Sequence, residues 1–122
     1  MSLSAKELED LQKLKGPLKK RSPKLFIGYQ KRFFMIVNSG KLLTWFNDEN
    51  VGSKPKGSIE ISGIEGIKCV GYTDFEISYG GRVFELRAES DSERMEWIRA
   101  LKKLKDYWTD AYAKEVESNS NF

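Results

Sequence analysis

The stretch GPLKKRSPKLFIGYQKRFFMIVNSGKLLTWF, residues 16 to 46, decides the fold of this chain. It contains three β-type runs, of which the last two are rich in aromatic and aliphatic residues, and turn-forming residues separate these runs. Asn38-Ser39-Gly40, between the second and third runs, is typical of a tight hairpin turn. The stretch therefore predicts three strands, at residues 18–21, 30–38 and 41–47, with neighbours paired antiparallel.

The alternation of strand-like runs and turn-forming residues continues after a loop at residues 47–57, which contains two glycines and a proline. Four further runs predict strands at residues 58–61, 67–70, 73–79 and 82–88. Tyr79-Gly80-Gly81 predicts a second tight hairpin, between the last two of these strands. The sequence thus predicts seven strands.

Two capping boxes mark the starts of helices. Ser4-Ala5-Lys6-Glu7 predicts a short N-terminal helix with Leu8, Leu11 and Leu14 on one stripe, which Gly16-Pro17 would end. Ser90-Asp91-Ser92-Glu93 predicts a final helix from residue 91 to at least 105. Its buried stripe consists of Trp97, Leu101, Leu104 and Trp108. We expect a polar continuation of this helix and a disordered tail at Ser118-Asn119-Ser120-Asn121.

Charge is distributed unevenly along the chain. Residues 11–47 contain nine lysines and arginines and no acidic residue, although the whole chain has 21 basic and 18 acidic residues. The rest of the sequence therefore has a surplus of acids. Such asymmetry steers one face of a protein toward anionic partners, which include membrane surfaces, phosphorylated lipids, nucleic acids and acidic proteins.

Length and composition limit the classes of protein to consider. The 122 residues, 39% of them hydrophobic, suit one globular domain. With one cysteine and no histidine, we expect no disulfide, no zinc site and no histidine-dependent nucleophile. The chain is therefore expected to be a non-enzyme without cofactor or metal. The longest apolar runs have about five residues, whereas a membrane-spanning helix needs roughly 20, so we expect a soluble, cytoplasmic chain.

Several short motifs occur in a fixed order from residue 15 to about residue 106. They are Gly16-x-Leu18-x-Lys20, Lys31-Arg32-Phe33-Phe34, Leu43-x-Trp45-Phe46, Lys56-Gly57-x-Ile59, Phe84-x-Leu86 and the helical Trp97. The ordered set resembles a pleckstrin homology (PH) domain. That resemblance implies a mainly β fold, a seven-stranded antiparallel barrel or sandwich capped by a C-terminal α-helix. It divides the chain into an N-terminal helical extension (1–15), a PH domain (16–107) and a C-terminal helix extension with a disordered tail (108–122).

The resemblance also implies a ligand. PH domains commonly receive an inositol phosphate head group at the open end of the barrel. Members that bind phosphoinositides carry a lysine late in the first strand, then a basic residue, any residue and an arginine before two hydrophobic residues. Lys20 and Arg32-Phe33-Phe34 match this pattern, whereas Gln30 occupies the other basic position. We therefore expect a membrane-targeting module that binds phosphoinositide or another anionic phospholipid, such as phosphatidic acid. Charge should contribute more to this binding than stereospecific recognition of the head group.

Strand parity supports a basic site at the open end. Lys20 shares the parity of Leu18, and Arg32 shares that of Phe34, so both cations point in the direction of the core. Lys20 ends its strand and Arg32 begins the next, and both therefore reach solvent where a barrel opens. The candidate lipid-binding residues are Lys20, Arg32, Lys56, Arg21, Lys24 and Lys31.

The loop between the first two strands carries a hydrophobic tip. Leu25, Phe26 and Ile27 directly follow Lys24 on a segment that should be exposed. Insertion into a membrane interface would contribute about 1.5 to 3 kcal/mol for each side chain fully removed from water. The alternative is that Leu25 and Ile27 extend the hairpin and pack on the core.

Two other function classes use similar barrels. A protein-interaction domain of the same superfold would add a peptide strand beside residues 67–70 and the last helix. An oligonucleotide-binding barrel would expose its aromatic residues. Here the aromatic residues expected inside are Phe33, Trp45, Phe75 and Phe84. We therefore expect an anionic membrane as the partner, a protein as the alternative, and no nucleic acid.

Overall fold

The computed structural model describes residues 3–50 and 52–120, with side chains described as far as residue 117. Within these residues the chain forms seven strands and two α-helices. In chain order they are α1 (Ala5–Leu11), β1 (Lys15–Arg21), β2 (Tyr29–Val37), β3 (Leu42–Phe46), β4 (Gly57–Glu60), a 3-10 helix (Ile61–Gly63), β5 (Gly66–Val70), β6 (Asp74–Tyr79), β7 (Arg82–Arg87) and α2 (Asp91–Ser120). The predicted mainly β fold is confirmed, although the sequence did not predict the 3-10 helix.

The described strands form one antiparallel sheet in the order β4-β3-β2-β1-β7-β6-β5. β1 joins the two halves of this sheet. It pairs with β2 along its whole length, but with β7 only at Lys19↔Arg87 and Lys20↔Leu86. This register brings β2, β1 and β7 side by side, so the end of β1 lies beside the start of β2 and the second half of β7. The start of β7 extends past the end of β1, where Arg82 lines a cavity with Ser22 and Pro23.

Both predicted hairpin turns form. Asn38, Ser39 and Gly40 have φ angles of 53°, 58° and 90°, and Gly80 and Gly81 have φ angles of 60° and 78°. Glycine adopts this left-handed region without a Cβ clash, and asparagine tolerates it better than most residues. Turn chemistry therefore fixes the connections between β2 and β3 and between β6 and β7.

α2 closes one end of the core. Trp97, Leu101 and Leu104 are buried, as predicted. Trp108 is only half-buried, and its indole N–H donates to the carbonyl of Gly40 at 2.9 Å. This bond brings the β2–β3 turn against α2. Because the strands are antiparallel, the β1–β2 and β3–β4 loops lie at the opposite end of the barrel.

Arg94 ties α2 to the β5–β6 turn. Its side chain is buried, and its Nη1 donates to the carbonyls of Gly71 at 2.9 Å and Asp74 at 3.0 Å. Nη2 donates to Asp91 Oδ1 at 2.6 Å. One guanidinium therefore satisfies carbonyl oxygens of a turn more than 15 residues away in sequence and holds α2 in place.

The start of the chain differs from the prediction. The capping box forms, with the Glu7 N–H donating to Ser4 Oγ at 3.1 Å, but α1 ends at Leu11. Gly16-Pro17 does not end the helix, because both residues lie within β1. Leu14 is not helical, and its carbonyl instead accepts from the Ile36 N–H of β2 at 3.2 Å. Pairing with β2 thus extends β1 three residues before Leu18.

Two further expectations are wrong in detail. Phe33 is half-buried rather than interior, because its parity is opposite to that of the buried Phe34 and places it on the outer face of the sheet. α2 continues through Ser120, so its backbone is helical where the sequence predicts a disordered tail. Asn121 lies outside the described residues.

Candidate functional site

The open end of the barrel is bounded by three connections. They are the β1–β2 loop (residues 22–28), the β3–β4 loop (47–56) and the β6–β7 turn (80–81). We call this end, opposite the β2–β3 turn that contacts α2, the mouth. Its described side chains come from the last residues of β1 and the first residues of β2 and β7.

Lys20 lies in the mouth above two aromatic rings. Its Nζ is 5.6 Å from the ring centroid of Trp45 and 5.5 Å from that of Phe84. Partial burial, followed by the positive charges of Arg82 and Arg32, lowers the pKa of Lys20 below its ordinary value of 10.5. Both neighbouring charges that act on Lys20 are thus cations, and an anion bound among them would relieve their repulsion.

The two rings beneath Lys20 belong to an aromatic column that crosses the core. Trp45 packs edge-on against Phe84 at 5.6 Å and stacks with Phe34 at 5.6 Å. Phe34 in turn contacts Trp97 of α2 edge-on at 6.4 Å. The column fixes the floor of the mouth, so Lys20 is held on a rigid support.

The end of the β3–β4 loop also packs against this floor. Gly57 passes so close to the Trp45 indole that a Cβ there would lie 2.4 Å from Trp45 Cζ2, which only glycine avoids. The neighbouring Lys56 donates its backbone N–H to the Trp45 carbonyl at 2.8 Å. Lys56 is exposed, and this bond places its backbone at the rim of the mouth.

Arg32 reaches the same face from β2. It pairs with Leu18 across the strands, while Gln30 pairs with Lys20. The Arg32 guanidinium donates through Nη2 to Gln30 Oε1 at 3.1 Å and through Nη1 to the Lys31 carbonyl at 2.8 Å. Gln30 therefore orients Arg32, although it adds no charge.

Arg82 is a third cation of the mouth, which the sequence analysis missed. It is the first residue of β7, and its guanidinium carbon lies 4.5 Å from the Phe84 ring centroid. Lys20 and Arg82 also line a cavity of about 220 Å³. The sequence contains the signal for this residue. Arg82 shares the parity of Phe84 and Leu86 along β7, just as Lys20 shares that of Leu18 along β1.

The other predicted basic residues do not join this cluster. Arg21 has the opposite parity to Lys20 and pairs with Glu85 of β7 at 3.3 Å. Lys31 faces Lys19 across β1 and β2, on the outer face of the sheet. Lys24 is exposed in the β1–β2 loop, where its backbone N–H donates to Ser22 Oγ at 3.1 Å. The prediction grouped the six basic residues into one site, whereas the structure distributes them over three surfaces.

The hydrophobic tip of the β1–β2 loop is exposed. Leu25 is 83% exposed, Phe26 fully exposed and Ile27 49% exposed. Phe26 has a φ of 69°, an uncommon conformation for a bulky residue. The base of the loop is closed by the Ser22 N–H, which donates to the Gly28 carbonyl at 2.8 Å. The alternative in which Leu25 and Ile27 pack on the core is therefore wrong.

Residues 12–106 match the family model of the PH domain. The chain belongs to the PH domain family. This PH domain is 35% identical over 101 residues to Uncharacterized protein CG43867 of Drosophila melanogaster and 30% identical over 93 residues to human oxysterol-binding protein-related protein 11. These matches cover 82% and 74% of the chain, but only 5% and 12% of the two relatives.

Solved PH domains share the fold. The PH domain of human oxysterol-binding protein-related protein 11 superposes with a TM-score of 0.72 at 29% identity, covering 80% of this chain and 83% of that one. The C-terminal PH domain of pleckstrin in complex with D-myo-Ins(1,2,3,4,5)P5 gives a TM-score of 0.60 at 25% identity, covering 73% and 93%. PH domains are typically non-catalytic modules that bind phosphoinositides or proteins. Among the described residues, no helix is long and apolar enough to cross a bilayer.

Proposed function

We propose that this PH domain is a cytoplasmic, peripheral membrane module that binds phosphoinositides or another anionic phospholipid, such as phosphatidic acid, through the mouth. The observation that carries this proposal is the position of Lys20 on the Trp45–Phe84 floor with cationic neighbours. The pleckstrin domain that shares this fold is in complex with an inositol pentakisphosphate, which supports the same class of ligand.

The three mouth cations suit phosphate chemically. Arg32 is oriented by Gln30 and offers a planar guanidinium, which pairs with phosphate through two parallel hydrogen bonds. Lys20 adds a compact charge whose ammonium group is free to turn its protons toward an oxygen atom. Each cation near an anionic membrane surface contributes about 1 kcal/mol, and this attraction weakens as salt rises.

The β1–β2 loop supplies the apolar part of the proposed interaction. Its base adjoins Lys20, so a membrane whose head group occupies the mouth would also meet Leu25, Phe26 and Ile27. Burying one such side chain completely contributes about 1.5 to 3 kcal/mol. Lys24 directly precedes this tip, is exposed and would add charge at the surface. Charge and insertion together would retain the domain on anionic membranes.

A protein-interaction module is the second candidate. β5 lies at one edge of the sheet, and Ile67 is its one residue that is not exposed. An uncovered edge strand accepts an extended peptide as an additional strand. This surface lies away from Lys20 and Arg32, so the two candidate functions predict different effects of mouth substitutions.

Vesicle co-sedimentation tests the proposal directly. The vesicles would contain phosphatidylcholine with phosphatidylinositol phosphates, phosphatidic acid or phosphatidylserine at matched charge. We expect wild-type binding that falls steeply as salt rises, because the Debye length is only about 8 Å at physiological ionic strength. The combined Lys20→Ala and Arg32→Ala change should abolish binding and alter the free energy of unfolding by no more than about 1 kcal/mol.

A pair of lysines away from the mouth provides the control. Lys102 and Lys103 are exposed on α2, at the end of the domain that the helix closes. Changing both to alanine removes the same charge and should leave most of the binding intact. Equal losses in the two double variants, or no wild-type binding to any of these vesicles, would contradict the proposed function.

A further inference from the structure

Ser22 is the first residue of the β1–β2 loop, and Pro23 directly follows it. It is the one serine or threonine in the sequence that precedes a proline. Ser22 is half-buried, while Pro23 and Lys24 are exposed. A serine followed by proline on an accessible loop is the pattern that proline-directed protein kinases recognise. Ser22 is therefore a candidate for phosphorylation.

Few hydrogen bonds hold Ser22 in its present conformation. Its N–H donates to the Gly28 carbonyl at 2.8 Å, and its Oγ accepts from the Lys24 N–H at 3.1 Å. Pro23 has no N–H to donate. Hydrogen bonds that water can replace contribute little net stability, so the loop can open locally while the strands stay paired. Because β1 already holds the preceding residues extended, the segment can take the extended form in which protein kinases bind their substrates.

The side chain of Ser22 borders the mouth. Ser22 continues the parity of Lys20 along β1, and both residues line the cavity of about 220 Å³ together with Arg82. Among the described residues that line this cavity, Glu85 is the one acid, and it pairs with Arg21 at 3.3 Å. The cavity is several times larger than the ~30 Å³ that one water molecule occupies in the liquid. It therefore has room for a phosphate group attached to Ser22.

Phosphorylation would change the charge of the mouth from within. A protein kinase transfers the γ-phosphoryl group of ATP to Ser22 Oγ: the Oγ–P bond forms, the bond from the γ-phosphorus to the bridging oxygen breaks, and ADP leaves. A base of the kinase takes the hydroxyl proton. The product carries a charge of about −1.5 to −2 at pH 7 and three acceptor oxygens. A guanidinium and an ammonium group, which Arg82 and Lys20 provide, are the donors that bind such a group most strongly.

We propose that Ser22 is a phosphorylation site whose phosphate occupies the mouth beside Lys20 and Arg82 and thereby releases the domain from anionic membranes. The phosphate neutralises cations that would otherwise meet a head group, and it places negative charge at the base of the hydrophobic tip. The release rests on the proposed function, because it regulates the same mouth. The modification of Ser22 and the position of its phosphate do not depend on that function.

Incubation of the folded domain with Mg²⁺, ATP and a proline-directed serine/threonine kinase tests the modification. We expect the intact mass to rise by one phosphate, and peptide mapping to place that phosphate at Ser22. Ser22→Ala should remove it, and Pro23→Ala should slow it by about tenfold or more, because the kinase no longer finds its proline. No phosphate on the folded domain, or a phosphate only at another residue, would overturn the phosphorylation site.

³¹P NMR of the domain phosphorylated at Ser22 tests where the phosphate lies. Nearby cations favour the dianion and lower the second pKa of a phosphoserine from its ordinary value of about 6. Arg82→Gln removes one of these cations and should raise that pKa by about 0.5. Arg99→Gln, at an exposed position of α2, should leave it unchanged. Equal values in the two variants would overturn the placement of the phosphate in the mouth.

Co-sedimentation with the same panel of phosphatidylcholine vesicles tests the release. Phosphorylation at Ser22 should weaken binding about thirtyfold, because two charges near the membrane surface are reversed in effect. The control is the domain with phosphoserine incorporated at Ser92, an exposed position in the first turn of α2. It adds the same charge, but salt screens that charge at a distance, so binding should weaken less than about threefold.

Undiminished binding of the domain phosphorylated at Ser22 would overturn the release and leave the proposed function intact. Equal losses after phosphorylation at Ser22 and at Ser92 would also overturn it, since net charge alone would then explain the effect. Absence of binding by the unmodified domain to every vesicle of the panel would overturn the proposed function and, with it, the release.

Discussion

Replacing Arg94 with methionine tests how the closed end of the barrel is held. Arg94 is buried, and its Nη1 donates to the Gly71 and Asp74 carbonyls at 2.9 and 3.0 Å. Hydrogen bonds from a charged group contribute about 1.5 to 3 kcal/mol each. The pair with Asp91 adds up to about 1 kcal/mol, because that carboxylate is mostly exposed. Water will replace part of this loss at the exposed Gly71, and methionine will keep the apolar packing of the side chain.

We therefore expect Arg94→Met to lower the free energy of unfolding by about 2 to 4 kcal/mol. For a domain of this size that corresponds to a fall in Tm of about 8 to 16 °C, at roughly 4 °C per kcal/mol. Urea unfolding followed by tryptophan fluorescence measures the change, since Trp45 and Trp97 are buried. Vesicle binding at low temperature should remain as in the wild type, because Arg94 lies far from the mouth.

Arg99→Met is the matched control on the same helix. Arg99 is exposed, so its replacement should change the free energy of unfolding by no more than about 0.5 kcal/mol. If Arg94→Met cost less than about 1 kcal/mol more than this control, the reasoning about the buried guanidinium would be refuted.

Three further predictions concern the membrane interaction. Phe26→Ser should weaken vesicle binding about tenfold at constant lipid charge, whereas Tyr72→Ser, at an exposed aromatic in the β5–β6 turn, should not. Gln30→Leu, which leaves the charge unchanged, should weaken binding about fivefold by removing the acceptor that orients Arg32. Affinity should fall as pH rises through the lowered pKa of Lys20, below the 10.5 of an ordinary lysine, because the neutral amine no longer attracts phosphate; Lys20→Arg should abolish this step in a titration of vesicle binding.

The sequence predicts those features that depend on local chemistry. The two hairpins follow from residues that tolerate positive φ, and the faces of β1 and β2 follow from the alternation of buried and exposed residues. The exposed tip at Leu25 and Phe26 follows in the same way, because a hydrophobic run in a loop has no strand to bury it. The PH fold was recognisable because the short motifs from Gly16 to Trp97 occur in the order typical of the family.

Features that depend on distant pairing were not predictable with the same rules. Gly16-Pro17 indicates the end of a helix, but both residues pair with β2 and therefore belong to β1. Arg94 looks like an ordinary helix residue, because its acceptors are in a turn about 20 residues earlier in the chain. Arg82 differs from these two cases, because the alternation of Arg82, Phe84 and Leu86 along β7 is as local a signal as that of Leu18 and Lys20 along β1.

The most direct test of the account is an NMR titration of the wild-type domain with a soluble inositol phosphate that carries two or more phosphate groups. We expect the largest amide shifts to cluster at the mouth, around Lys20, Arg32 and Arg82, and to saturate. Shifts centred on β5, or on the outer face around Lys31, would contradict it. So would the absence of any saturating shift up to millimolar ligand.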